Sequence, residues 1–366
     1  MTDAGAPRVS VVMPVLNVER FLAEALTSIL DQTFTDFELV VVDDGSTDSS
    51  PAILEQFALR DPRLRVVRQE QAGLTPALNR GWRLARAPYI ARMDGDDVAL
   101  PDRLERQVVF LDGHPRVGVV GGAFVVLTEL GERLGTITYS TADRELRRDL
   151  QRYNCIPHPT AMIRREALER VGGYRLERAE DYDLWLRIAE DWEIANLPEP
   201  VLLYRHHPRQ YSVAHLDRQA AGALAARAAA RLRADGLDDP IPSGGQITPS
   251  LLRQLGIDDA AVERAVLADG LQWASILAET GSEDEAVELL RSLEGRATVG
   301  ERAFRAAMRI RRAKAAVRAG RPVRAAGFVV GALAAQPAAA VAEAAALFRV
   351  RARSAGAAVL RRRESL

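Results

Sequence analysis

Cysteine and lysine are nearly missing from this chain. Across 366 residues there is one cysteine, Cys155, and one lysine, Lys314, among 49 basic side chains. A single thiol excludes an internal disulfide framework and the paired cysteine spacings of a zinc site; it reads as a small buried hydrophobe in a reducing compartment. Aromatic residues reach only 5%, and Trp82, Trp185 and Trp192 each sit in a helical pattern, which points to core packing rather than to sugar stacking. Long hydrophobic runs are also lacking. The nearest to one, residues 325–348, is mostly alanine and is broken by Gln336, Pro337 and Glu343, so a membrane-spanning helix is not expected. The opening MTDAGAPRVS has an acidic residue but neither a basic n-region nor an apolar h-region. No secretory leader is expected, and the chain reads as cytoplasmic.

What is present is an ordinary globular composition, 48% hydrophobic and 27% charged, long enough for two domains. The net charge of −1 conceals an asymmetry. Residues 1–217 hold 26 arginines against 34 acidic residues, a net −8, whereas 218–366 reach +7, and 300–366 alone reach +12. The shift in composition at 217 divides the chain into an N-terminal domain, 1–217, and an Ala/Arg-rich helical domain, 218–366.

Within the first part, short β-branched runs alternate with amphipathic segments. RVSVVMPVLN is followed by FLAEALTSILDQ, with Phe21, Leu22, Ala25, Leu26, Ile29 and Leu30 at helical spacing; FELVVVDD is followed by SPAILEQFAL, and LRVVRQ by LTPALNRGWRLA and then YIARMD. This alternation predicts βαβ units and a mostly parallel sheet covered on both faces. Beyond residue 105 the strand candidates VGVVGGAFVVL, PTAMIRREAL and NLPEPVLLYRHH surround a helix at EDYDLWLRIAED, so the sheet is expected to be mixed.

Ligands of open α/β sheets bind beyond the carboxyl ends of the strands, and three such ends are chemically marked: Pro14 to Asn17, Asp43 and Asp44, and Asp94 to Asp97. Crowded carboxylates raise one another's pKa unless a cation neutralises them, and oxygen-rich clusters suit Mg²⁺ or Mn²⁺ together with a bound diphosphate. The alternative is a solvated loop in which Asp97 caps the following helix. Asp43 and Asp44 are likewise either a turn with a helix cap or acceptors for a nucleoside.

Taken in order, VSVVMPVLN, FELVVVDDGSTD, ALNRGWRLARAPYIARMDGDD with PDRL, and AEDYDLWLRI resemble the family 2 inverting glycosyltransferases of the GT-A fold, over residues 8 to 215. The resemblance implies a Rossmann-like sheet with helices on both faces, a nucleotide-sugar donor (UDP-sugar favoured) and a divalent cation, Mn²⁺ or Mg²⁺. Carried over residue by residue, it implies that Pro14, Val15 and Asn17 line the nucleotide pocket and that Asp44, with Asp43, meets the base and ribose. Asp94 and Asp96 become metal ligands, Asp96 the more direct and Asp94 also nearer the ribose or sugar of the donor, and Asp181 the catalytic base. Asn79 and Arg92 flank the sugar-phosphate region, and Glu180 either orders the loop or binds the acceptor; His158 lies near the site, and His207 is either a further metal or phosphate ligand or part of a solvated loop. Asp183 reads as a surface or capping residue. A surface glycan or a lipid-linked acceptor is expected. A sugar-nucleotide-binding scaffold with vestigial chemistry is the rival class, although Asp44, Asp94, Asp96 and Asp181 are all present.

After 217 the periodicity is helical throughout. Gly281 and Gly320, 39 residues apart, each divide a pair of helical patterns, which suggests tetratricopeptide-like hairpins or else a plain bundle. The basic tail fits a solvated helix face or peripheral contact with an anionic membrane at the inner face of the cell membrane. It lacks aromatic interleaving, so nucleic acid is not expected as a partner.

Overall fold

A computed structural model describes residues 5–206, 216–242, 244–279 and 283–294. His207, His215, Gly281, Gly320 and the basic tail lie outside the described residues, as do the expectations attached to them.

The first half alternates as its periodicity predicts: β1 (Val9–Val15), α1 (Glu19–Leu30), β2 (Phe37–Asp43), α2 (Ser50–Ala58), β3 (Leu64–Arg68), α3 (Leu74–Leu84) and β4 (Tyr89–Arg92). The short β5 (Val98–Ala99), α4 (Arg103–Gly113), β6 (Val117–Thr128), β7 (Arg133–Ile137) and α5 (Asp143–Leu150) follow. PTAMIRREAL, expected as a strand, keeps only three strand residues. It enters through a single 3₁₀ turn at His158–Thr160, forms β8 (Met162–Arg164) and turns at once into α6 (Arg165–Val171). Arg165, Glu166, Ala167 and Leu168 are good helix formers that bury Ala167 and Leu168 on one face, which ends the strand early. Helix α7 (Glu180–Asp191) and β9 (Glu193–His206) complete the sheet, and α8 (Leu216–Ala234), α9 (Pro249–Gln254), α10 (Asp259–Glu279) and α11 (Glu283–Glu294) are helical.

The nine strands form one mixed sheet in the order β3-β2-β1-β4-β8-β6-β9-β5, with β7 beside β6. Parallel pairing joins β3, β2, β1 and β4, and also β6 with β9; β8 runs antiparallel between β4 and β6. Side chains alternate across β1: Val9, Val11, Met13 and Val15 enter a core with Leu22, Leu26 and Ile29 of α1 and Leu104 and Leu111 of α4. Val12 faces the opposite core with Leu78 and Trp82 of α3, Trp185 and Ile188 of α7, and Ala225, Ala226, Ala229 and Ala230 of α8. Helices therefore cover both faces, as a largely parallel sheet requires. The chain divides into two compact units, and the first joins residues 1–207 with 217–262.

Candidate active site

After β1 the chain moves to β2 on one side, while β4 pairs on the other side of β1. This reversal opens a crevice at the strands' carboxyl ends. Into it run Pro14 to Asn17 from β1 and Arg92 to Asp97 from β4. Asn17 adopts a left-handed conformation, φ 53°, and is held there: its side-chain oxygen accepts the Thr47 N–H at 2.8 Å and its own N–H donates to Ser46 Oγ at 3.1 Å. A positive φ costs a non-glycine residue free energy and persists only where its surroundings enforce it.

Asp94, Asp96 and Asp97 place one carboxylate oxygen each within 4.8 Å of one another. Arg92, buried, ion-pairs with Asp94, which is 28% exposed. Burial is the largest influence raising the Asp94 carboxyl above the ordinary range; Arg92 opposes it, and Asp96 and Glu180 add to it. Asp97 is raised well above that range by burial and then by Asp96 and Asp94. Asp97 caps no helix. It is 1% exposed, and its Oδ1 accepts the backbone N–H of Arg205 at 2.8 Å, tying the acidic loop to β9.

Arg205 is the residue whose importance the sequence conceals. Its Nε donates to the Asp96 carbonyl at 2.7 Å, a terminal nitrogen pairs with Glu24 at 2.5 Å, and its guanidinium lies 4.7 Å from the centroid of the Phe21 ring. One buried cation thus fastens the acidic loop to α1 and β9. Only the Tyr-Arg spacing at the close of β9 marks it in the sequence.

Asp43 and Asp44 are both buried and already engaged. Ser46 N–H donates to Asp43 Oδ1 at 3.0 Å. Asp44 Oδ1 accepts from Gln69 Nε2 at 2.6 Å and Ala72 N at 2.8 Å, and Oδ2 accepts from Gly73 N at 2.8 Å. The pair therefore organises the loops bordering the crevice. Gly45 permits this: at φ 81°, a Cβ there would stand 2.9 Å from Gln71 N.

The start of α7 carries the next candidate residues. Asp181 is half-buried; Asn154 Nδ2 donates to its Oδ2 and Tyr182 N–H to its Oδ1, each at 2.7 Å. Burial raises its carboxyl above the ordinary value against the pull of these hydrogen bonds, with Glu180 adding to the rise. Such a group is more basic than an exposed aspartate. Glu180, 6% exposed, lies 3.4 Å from His158 Nδ1, while His158 Nε2 meets the Tyr174 hydroxyl at 3.0 Å. Burial and Arg92 hold His158 well below its ordinary value, so its ring is neutral. Asn79 stands behind this group, donating to the Tyr174 carbonyl at 2.7 Å and accepting its N–H at 3.1 Å. Asp183, expected at the surface, is instead fully buried between Arg175 and Arg187, at 2.8 and 2.9 Å.

The model for glycosyl transferase family 2 matches residues 10–172. EpsE of Bacillus subtilis is 38% identical over 191 residues, 50% of this chain and 68% of that protein. The O-antigen biosynthesis glycosyltransferase WbnJ of Escherichia coli is 34% identical over 206 residues, 54% of this chain and 80% of its own. The chain belongs to glycosyl transferase family 2. Among solved structures, this glycosyltransferase resembles S. aureus TarS 1–349 in complex with UDP-GlcNAc, with a TM-score of 0.52 at 18% identity, covering 90% of this chain and 92% of that one. It also resembles the mannosyltransferase PcManGT of Pyrobaculum calidifontis in complex with GDP-Man and Mn²⁺, with a TM-score of 0.51 at 22% identity over 90% and 88% of the chains. These likenesses establish the GT-A fold. Among the described residues of the glycosyltransferase, no helix is long and apolar enough to cross a membrane.

A divalent cation, which this family implies, fits the residues present. Three carboxylates converge, burial and mutual repulsion raise two of them, and Asp97 Oδ2 is buried with no hydrogen-bond partner among the described residues. An orphaned buried acceptor is costly unless a cation or donor satisfies it.

Proposed function

We propose that the enzyme transfers a sugar from a nucleoside diphosphate sugar, a UDP-sugar in the first instance, to a hydroxyl of a surface-glycan or lipid-linked acceptor, with inversion at the anomeric carbon. One observation carries this reading. In a chain of glycosyl transferase family 2, three carboxylates, Asp94, Asp96 and Asp97, converge to within 4.8 Å just beyond the carboxyl end of β4. In this reading Asp181 removes the acceptor hydroxyl proton as its oxygen attacks the anomeric carbon. The bond to the diphosphate oxygen breaks on the opposite face, and its electron pair leaves with the nucleoside diphosphate. No covalent enzyme intermediate is needed, and no nucleophile is required of the protein.

Asp94, Asp96 and Asp97 would hold Mn²⁺ or Mg²⁺, with His207 the proposed further ligand; when bound, the cation neutralises charge developing on the departing diphosphate. Pro14 and Asn17 would line the nucleotide pocket; Val15, expected beside them, buries its side chain in the core against α1 and would stand behind it. Asp43 and Asp44 would shape it through the loops they hold, while Arg92, Glu180 and His158 would set the polarity around the transferred sugar. The Mn²⁺ and GDP-Man bound to PcManGT, the UDP-GlcNAc bound to TarS and the O-antigen role in the name of WbnJ support the cation, the donor class and the acceptor class.

Proton NMR of donor hydrolysis, with water as acceptor, tests the reading. An α-linked UDP-sugar should release β-sugar first, with turnover abolished by EDTA and restored by Mn²⁺. First release of α-sugar, or undiminished turnover in EDTA, would contradict it.

A further inference from the structure

The turn that launches α7 is strained and is held from behind. Ala179, immediately before Glu180 and Asp181, has φ 57° and ψ 33°, a left-handed conformation unfavourable for a residue with a Cβ. No side chain caps this helix start. What confines it is α8. Gly222 packs against the turn so closely that a Cβ there would fall 2.5 Å from the Arg178 carbonyl oxygen and 3.3 Å from Ala179 Cβ. Ala225, Ala226, Ala229 and Ala230 continue the same face into a core with Tyr182, Trp185 and Ile188 of α7.

A second tie joins the segment after the sheet to the same helix. Asp183 is bound by Arg175 and Arg187. Arg175 also pairs with Asp239 at 2.7 Å; Asp239 pairs with Arg233 at the end of α8, and Arg233 reaches Glu190 of α7 at 2.6 Å. The chain of charges runs Asp183, Arg175, Asp239, Arg233, Glu190. It clasps α7 near both ends.

We propose that residues 216–239 brace the catalytic base, with Gly222 and Asp239 as positioning residues that act on the reaction only through the pose of Asp181. The proposal rests on the reading of Asp181 as base. It places part of the catalytic machinery beyond residue 217, where the composition changes.

The test is a double-mutant cycle in the full chain. Gly222→Ala and Asp239→Asn are each measured alone and combined with Asp181→Asn, following turnover and donor KM, with thermal unfolding as a check on folding. Displacement of about 1 Å at a reacting group costs on the order of 10²-fold. Each single variant should therefore lose about tenfold to a hundredfold in kcat, with donor KM within about twofold of wild type. Asp239→Glu should recover most of the loss, and neither change should lower the residual turnover of Asp181→Asn further. Unchanged kcat in folded Gly222→Ala and Asp239→Asn enzymes would overturn the proposal, and so would equal losses with and without Asp181. Near-normal turnover of Asp181→Asn alone would instead remove the base assignment, and it is read separately from the brace.

Discussion

Asn154 donates its side-chain amide hydrogen to Oδ2 of Asp181 across 2.7 Å, leaving the other carboxylate oxygen to the Tyr182 N–H. The bond fixes the plane of the carboxylate and favours its ionised form, in opposition to burial.

The pH dependence follows from that balance. Because the Asp181 carboxyl is raised, it takes up its proton above the ordinary carboxylate range. With Asp181 as the proposed base, acidification removes it, and kcat should rise with pH through the raised value. Asn154→Ala removes an influence that lowers the pKa, so the acid limb of the kcat profile should move to higher pH. A limb that stays in place would show that Asp181 does not govern it.

In the proposed cation site Asp97 joins the two aspartates that flank Gly95. Asp97→Asn leaves an oxygen to accept the Arg205 N–H but removes the charge. Mn²⁺ affinity, measured by calorimetry, should fall by at least roughly tenfold, on the scale of lost metal-site partners, while the unfolding temperature in EDTA holds or rises because a crowded buried charge is gone. Unaltered affinity would leave Asp97 a purely structural tether.

Asp44 faces three donors with two oxygens, so Asp44→Asn turns one of its acceptors into a donor aimed at other donors. The variant should lose about 2–4 kcal/mol of stability by denaturant titration even without donor. A loss confined to nucleotide binding, with stability intact, would mean that its engagement with residues 69–73 is incidental.

How much of this was legible depended on distance along the chain. Strand and helix alternation over residues 9–92 shows plainly because each strand is a compact β-branched run and each helix carries a one-sided apolar stripe. The acidic strand ends are equally local. Arg205 was not legible, because its role lies in partners 109 and 181 residues away, Asp96 and Glu24. Asp183 reads as surface since it sits among charges at a helix start; its burial is set by Arg175 and, through it, by Asp239, beyond the apparent domain boundary. Asp44 has the residue type of a ligand contact, and its carboxylate also holds the Gln69 to Gly73 loop, a pairing that no periodicity encodes.

Arg205 should tolerate no substitute. Lysine retains the charge but not the planar fork that reaches the Asp96 carbonyl and Glu24 together. Arg205→Lys should lower stability by about 1–3 kcal/mol and weaken Mn²⁺ binding through the loosened acidic loop. A variant with wild-type stability and metal affinity would show that the acidic loop is rigid without it.

Asp181→Asn is the most direct probe of Asp181 as the base at a cation-assisted transfer site. Turnover of a UDP-sugar with Mn²⁺ should fall by about 10²- to 10⁴-fold, the usual contribution of a general base, while donor affinity by calorimetry remains within about threefold of wild type. Turnover near the wild-type rate in a folded, donor-binding Asp181→Asn enzyme would contradict it.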